Sequence, residues 1–288
     1  MEKEYKFNRS LGFIGGGKMS TAIFKGILKS GVVSAPQVWV SGPRLHNLKE
    51  WKELGANVTT KNGDILHNCK TIFIGVKPAM LRCAINDCLS TSHGPNEKLG
   101  SILFISMLAG ITISQLQKLS PLNCEARVIR IMPNTPITVG EGACLYSPSQ
   151  NVTESDCAVL ETFLNGSCVF SKVAESLMDT LGALVGCGPA YMLVVIDAMA
   201  DGAVKQGAPR DLAIKFAAQV MLGSGKMVLE SDKHPCLLKD EVCSPGGSTI
   251  CGVAALENGK VRGSFINAIE ASSQRNRQLG EMSSECKK

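Results

Sequence analysis

With 288 residues, 44% of them hydrophobic and 19% charged, the chain can bury a large core, has length enough for two domains, and is not a disordered polymer. Its net charge of +5 is dilute: residues 1–173 hold 18 Lys/Arg against 12 Asp/Glu and residues 174–288 hold 12 against 13, which excludes a nucleic-acid footprint. Twelve cysteines form no CxxC pair, and Cys144, Cys168 and Cys187 sit among apolar or small residues, so buried free thiols are expected in place of a disulfide or zinc framework.

Met1–Lys6 is charged and lacks the apolar core of a secretion signal. A reducing, cytoplasmic setting is therefore expected, and the glycosylation-like triplets at Asn57, Asn151 and Asn165 read as chance. Two uncharged stretches, 99–117 and 180–196, fall short of a spanning helix, the second because Gly186-Cys187-Gly188-Pro189 interrupts it. No membrane segment is expected.

Ser10–Ile14 reads as a short apolar strand running into Gly15-Gly16-Gly17-Lys18-Met19-Ser20, followed by a helix with Met19, Ile23, Ile27 and Leu28 on one face. Gly15 permits a tight turn, Gly17 lets a pyrophosphate approach the helix start, and Ser20 takes the place of the usual third glycine. Gln37–Ser41 is the second strand. No carboxylate stands at its end to hold ribose hydroxyls, whereas Ser41 can hydrogen-bond and Arg44 can pair with a 2′-phosphate, so NADP(H) is favoured and NAD(H) is the alternative. A solvated turn with a surface Arg is the competing account.

Further strands are expected at Asn57–Thr60, Thr71–Val76, Ile102–Ser106, Arg127–Ile131 and Cys168–Phe170, with short helices at Asn62–Cys69 and 153–165 and a helix start at Pro78. This alternation predicts a doubly wound parallel sheet, whose strand ends gather Gly15, Ser41, Val76, Lys77, Ala109 and Asn134 around one crevice. The loop Met132-Pro133-Asn134-Thr135-Pro136 is either a polar wall of that crevice or a structural turn.

After residue 173 strands give way to helices near 175–186, 189–206, 210–231, 234–242, 249–258 and 262–281. The expected division is therefore a dinucleotide-binding domain at 1–173 and an all-helical domain at 174–288. In Pro189–Gln206 the polar Asp197, Asp201 and Lys205 recur every four residues and nearly everything else is apolar. Such a helix has to be covered on several sides, which predicts an intertwined homodimer. Between two of these helices lies Cys243-Ser244-Pro245-Gly246-Gly247-Ser248-Thr249-Ile250. Its glycines uncover backbone amides at a helix start, with Ser248 or Thr249 as the expected cap, a geometry suited to a carboxylate or phosphate.

Gly12–Met19, Val76-Lys77-Pro78, Met132–Pro136, Gly188-Pro189-Ala190-Tyr191, and the run from His234-Pro235 through Leu238-Lys239-Asp240 to Ile250 together resemble pyrroline-5-carboxylate reductases, in register over nearly the whole chain. The resemblance implies NAD(P)H-dependent reduction of 1-pyrroline-5-carboxylate to L-proline. It also implies a Rossmann domain, an all-α dimerisation domain, an active site shared between subunits, and dimers that can assemble into rings. The implied dinucleotide contacts are Ile14, Gly15, Gly16, Gly17, Lys18, Met19, Gly42, Arg44, Asn62, Val76, Lys77, Pro78 and Ala109, and the implied substrate contacts are Glu175, Ser248 and Thr249. The chain departs from the family at Val185-Gly186-Cys187-Gly188, which lacks two hydroxyls, at Leu108 and at Glu241.

For the cyclic imino acid that the resemblance implies, the amides of Gly247, Ser248 and Thr249, presented by the Gly246 turn, are expected to hold the carboxylate, and Thr249 is the candidate to hydrogen-bond the ring nitrogen. No acid residue is required for a protonated imine. His46, His67, His93 and His234 read as structural or solvated, and no metal is expected. Two other readings stand beside this one: a reductase of another imine or a β-hydroxyacid, and a non-catalytic NADP(H)-binding redox regulator.

Overall fold

The computed structural model describes residues 10–91, 101–119 and 126–285, with side chains described through Glu281. The expectations for Met1–Lys6 and His93 lie outside the described residues. The sheet contains β1 (Leu11–Ile14), β2 (Val38–Ser41), β3 (Asn57–Thr59), β4 (Thr71–Ile74), β5 (Leu103–Ser106), β6 (Arg127–Pro133), β7 (Gly142–Pro148) and β8 (Cys168–Lys172). Helices α1 (Lys18–Ser30), α2 (Lys49–Glu53), α3 (Asn62–Asn68), α4 (Leu81–Thr91), α5 (Ile113–Gln117) and α6 (Glu154–Leu164) connect the strands.

The strand order is β3-β2-β1-β4-β5-β6-β7-β8. Its first six members run parallel and reverse direction of winding at β1, the arrangement that opens a ligand crevice at the strand ends. One expectation is corrected: β7 pairs antiparallel to β6, so the sheet is mixed. Gly142-Ala143-Cys144 begins that strand without a β-branched run, which hid it in the sequence.

All residues of β1, β4 and β5 are buried because helices cover both faces of the sheet. On one face Phe13 stacks on Phe73 at 4.8 Å and Phe24 on Trp51 at 4.3 Å, while the Trp51 Nε1–H donates to Thr21 Oγ1 at 3.0 Å. The opposite face packs Ile14, Ile65, Ile72, Ile74 and Phe104 with Leu81 and Ile85.

The ten described cysteines are free thiols. Burial pushes Cys69 and Cys88 up to about 12, aided at Cys88 by the neighbouring Asp87 charge, and it also raises Cys144. Cys168 and Cys187 are only half-buried, so the expectation of full burial fails for them. Iodoacetamide at pH 8 is expected to alkylate exposed Cys83 in the native protein and to spare Cys69, Cys88 and Cys144 until denaturation. Mass mapping reads this directly, and native labelling of Cys69 would contradict it.

The remaining helices are α7 (Met178–Gly182), α8 (Gly188–Lys205), α9 (Arg210–Glu230), α10 (Pro235–Val242), α11 (Ser248–Asn258) and α12 (Val261–Glu285). Packing divides the chain into one unit of the residues up to Gly186 together with those from Ser272 onward, and a second of Cys187–Ala271. This packing division lies at 186/187, because α7 and the end of α12 pack with the sheet unit. The break expected at Gly186–Pro189 is also absent. A single π turn, Ala183–Cys187, carries the helix through, and Pro189 sits in the first turn of α8 where a missing N–H costs nothing.

Glu175–Lys205 and Arg210–Glu230 are consequently long and apolar enough to cross a membrane by length and composition. Only Ala200 in α8, and Ala213 and Ala217 in α9, are buried. Leu193, Val194, Phe216 and Leu229 stand exposed.

Candidate functional site

In the sheet unit the candidate region is the loop leaving β1. Gly15 adopts φ +99°, and a Cβ there would lie 2.9 Å from the Gly75 carbonyl, so only glycine fits. Its N–H donates to the Ser41 carbonyl at 3.0 Å, and Gly75 N–H donates to the Ile14 carbonyl at 2.9 Å, fastening the turn between two strand ends. Gly16 backs onto Leu48, whereas nothing lies closer than 3.9 Å to a Cβ on Gly17. Gly17 caps α1 without any side-chain hydrogen bond, and no acidic residue occupies the first turn. Gly17 and Lys18 are exposed and Met19 is half-buried, leaving an uncapped helix N-terminus open to an anion. Ser20 does fill the third-glycine role: it is buried, and its hydroxyl occupies the space a Cβ on Gly75 would need. Gly75 itself was not singled out in the sequence, although its place directly after β4 is the signal that could have found it.

At the end of β2 the expectation for Ser41 is corrected. Its side chain is fully buried, and its hydroxyl donates to Asn62 Oδ1 at 2.6 Å, so it braces the sheet and is not presented to a phosphate. Asn62 completes the brace, donating through Nδ2 to the Ala84 carbonyl at 3.0 Å and through its N–H to Asp87 at 2.7 Å. Gly42 is buried, with its N–H on the Thr59 carbonyl. Arg44 is exposed and its guanidinium makes no ion pair among the described residues. A free cation, no carboxylate at the strand end, and an uncapped helix start fit a dinucleotide bearing a 2′-phosphate. Half-buried Val76 and Pro78, exposed Lys77 after β4, and half-buried Ala109 after β5 complete the strand-end set.

Asn134 is not a crevice wall. Its Oδ1 accepts from Ala143 N–H at 2.8 Å and its Nδ2 donates to the Val185 carbonyl at 3.2 Å, which makes the proline-rich loop a structural turn. Glu175 departs from its expected role as well: one oxygen, Oε1, accepts from Ile113 N–H at 2.7 Å and pairs with Arg130 Nη1 at 3.4 Å. Arg130, buried within β6, was missed because an arginine in an apolar strand reads as a surface position.

A separate candidate region, in the unit of Cys187–Ala271, is the turn before α11. Gly246 adopts φ +67°, and a Cβ on Gly247 would collide with Ser244 Oγ. The helix cap is Gly247, without a side-chain bond, in place of the expected Ser248 or Thr249. Gly247 N–H is spent on the Ser244 carbonyl at 3.0 Å, so it leaves the anion set. Ser248 and Thr249, both exposed, keep N–H groups that point out of the positive end of an 11-residue helix. His234 caps α10 by accepting from Cys236 N–H, a structural role as expected. No cluster of metal-ligating side chains occurs among the described residues.

Both parts of the chain match known families. Residues 10–110 match the family described as NADP oxidoreductase coenzyme F420-dependent, and residues 175–279 match pyrroline-5-carboxylate reductase dimerisation. Pyrroline-5-carboxylate reductase 2 of Homo sapiens is 38% identical over 95% of this chain and 84% of its own length, and the Arabidopsis thaliana reductase is 36% identical over 94% and 95%. Among solved structures, the Plasmodium falciparum pyrroline carboxylate reductase with NADP bound superposes with a TM-score of 0.85 at 30% identity, covering 96% of this chain and 99% of that one. The Coxiella burnetii enzyme follows at 0.82 and 28%, covering 95% and 99%. A Streptomyces aurantiacus imine reductase, at 14% identity and 0.55, shares the fold alone. By identity, coverage and fold together, this chain belongs to the pyrroline-5-carboxylate reductase family.

Proposed function

We propose that this protein is an NADP(H)-dependent oxidoreductase that reduces 1-pyrroline-5-carboxylate to L-proline, the last step of proline biosynthesis. The observation that carries the reading is the uncapped start of α11, an anion site free of competing side chains, in a chain whose first strand opens onto a phosphate loop. Ser248 and Thr249 hold the substrate carboxylate through their N–H groups, on the turn made by Gly246 and Gly247. The Thr249 hydroxyl oxygen accepts from the N–H of the protonated ring imine. The cofactor, when bound, supplies the hydride that adds to the C=N carbon, while the π pair collapses onto nitrogen. Fixing the carboxylate and the nitrogen together orients that carbon, and positioning of this kind contributes roughly 7–11 kcal/mol in favourable cases.

Gly15, Gly16, Gly17, Lys18, Met19, Gly42, Arg44, Val76, Lys77, Pro78 and Ala109 form the proposed dinucleotide contacts, with Ile14, Ser41 and Asn62 shaping the floor beneath them. Glu175 is given no contact with the substrate. The functional division at 173/174 belongs to the same proposal, supported by the family match that begins at residue 175. The working form is a cytoplasmic homodimer, with rings of dimers as a further state, and no membrane or nucleic acid takes part. Exposed apolar residues on α8 and α9 are what a second copy would cover.

The test is loss of NADPH absorbance by the purified protein with pyrroline-5-carboxylate, repeated with NADH. Rapid oxidation is the expected result. Tight NADPH binding without oxidation would instead support the redox regulator, and turnover only with other imines would move the substrate class.

A further inference from the structure

One ionic cluster in the sheet unit has no part in the chemistry above. Arg130 lies in β6 directly opposite Ser106, the last residue of β5, and is 1% exposed. Two carboxylates converge on it: Glu175 Oε1 at 3.4 Å from Nη1 and Asp179 Oδ1 at 2.8 Å from Nη2. A guanidinium this deeply buried, between two partly buried carboxylates, holds all three side chains in one geometry, since displacing any of them strands a charge.

Each carboxylate-bearing residue also reaches toward the segment after β5. Glu175 Oε1 accepts from Ile113 N–H, the first amide of α5. The Asp179 carbonyl accepts from Asn276 Nδ2 at 3.3 Å, and the Asn276 carbonyl lies 2.5 Å from where a Cβ on Gly110 would be. Gly110 has φ +75°, so its conformation and the approach of α12 depend together on the missing side chain. The loop from Met107 to Thr112 is thus gripped at Gly110 and at Ile113, with half-buried Ala109 carried beside those fixed points.

We propose that Arg130 is a positioning residue for cofactor binding: through Glu175 and Asp179 it fixes the loop that presents Ala109 to the dinucleotide. This rests on the reading of Ala109 as a cofactor contact. It assigns Glu175 to holding that loop, because its Oε1 is already shared by a guanidinium and a backbone amide.

The experiment compares Arg130→Lys, Glu175→Ala and Glu175→Gln in the full-length protein, measuring NADPH affinity by calorimetry, KM for each substrate, kcat and Tm. Arg130→Lys, which loses the two-armed fork, and Glu175→Ala, which frees Ile113 N–H, are expected to weaken NADPH binding about tenfold, the size of one charge-assisted hydrogen bond, with KM for pyrroline-5-carboxylate nearly unchanged. Glu175→Gln keeps an oxygen for both donors and is expected to restore NADPH affinity to within about twofold of the parent. A rise in the KM for pyrroline-5-carboxylate in both Glu175 variants, with NADPH affinity intact, would overturn the proposal and put Glu175 on the substrate. Equal loss of affinity in Glu175→Gln and Glu175→Ala would overturn it too. Should Arg130→Lys not fold, the Glu175 pair still decides. If the parent protein fails to oxidise NADPH with this substrate, the proposed function is what falls, while the calorimetric comparison continues to test the loop.

Discussion

Thr249→Ala is expected to lower kcat by about 10²-fold while leaving NADPH affinity within about twofold of the parent, the range typical for removing one hydrogen-bonding group at a reacting centre. Thr249 is the second residue of α11 and is exposed, with nothing in the helix depending on its hydroxyl, since Gly247 provides the cap unaided. Removal of the hydroxyl therefore takes away a ligand contact without loosening the fold. The backbone N–H at 249 survives the substitution, so the carboxylate stays anchored and KM is expected to change less than kcat. Thr249→Ser, which restores the oxygen, is expected to recover most of the rate. Steady-state kinetics with a parallel calorimetric NADPH titration check all of this. A kcat for Thr249→Ala equal to the parent's would remove the hydroxyl from the chemistry and leave Thr249 as an amide donor only.

What the sequence disclosed follows from which forces act locally. The β1 turn was legible because it needs glycines in fixed places: Gly15 at φ +99° and a small residue at Ser20 against Gly75 leave few other solutions. Most strands and the helices beyond residue 173 were legible from apolar runs and spacing. The anion turn was legible as a turn, but its capping was not: whether Gly247 or Ser248 begins the helix depends on the Gly247 N–H bonding back to the Ser244 carbonyl, a choice no residue type dictates. Long-range pairings were the least accessible. Ser41, Asn134 and Glu175 have side chains that suit ligands, and each is claimed by a partner at least nine residues away: Asn62, Ala143 and Val185, and Ile113 with Arg130. Polar residues at strand ends serve ligands and braces with the same atoms, so only the folded arrangement separates the two uses. The missed β7 has the same origin, since its place beside β6 is set by sheet closure and not by its own Gly-Ala-Cys start.

Correction at Ser41 sharpens the last expectation, because it leaves Arg44 as the chain's one proposed reader of the 2′-phosphate. Ser41 is buried and spent on Asn62, while the exposed Arg44 begins the turn into Leu45–Leu48 with an extended backbone, φ −145°. Arg44→Ala is expected to raise KM for NADPH by about 10- to 100-fold, the worth of a charge-assisted fork on a phosphate dianion, and to change KM for NADH by less than about threefold. NADH has only a hydroxyl where NADPH carries the phosphate, so it loses no ion pair. Arg44→Lys is expected to fall between, keeping the charge and losing the planar fork. The contrast should shrink as salt is raised, because an exposed pair is screened over a Debye length of about 8 Å at 0.15 M ionic strength. Paired steady-state assays with the two coenzymes at low and high salt measure each of these. Equal losses for NADPH and NADH would mean that Arg44 supports the loop itself, and the 2′-phosphate would then have to be read by another exposed cation at the strand ends, of which Lys18 and Lys77 are the candidates.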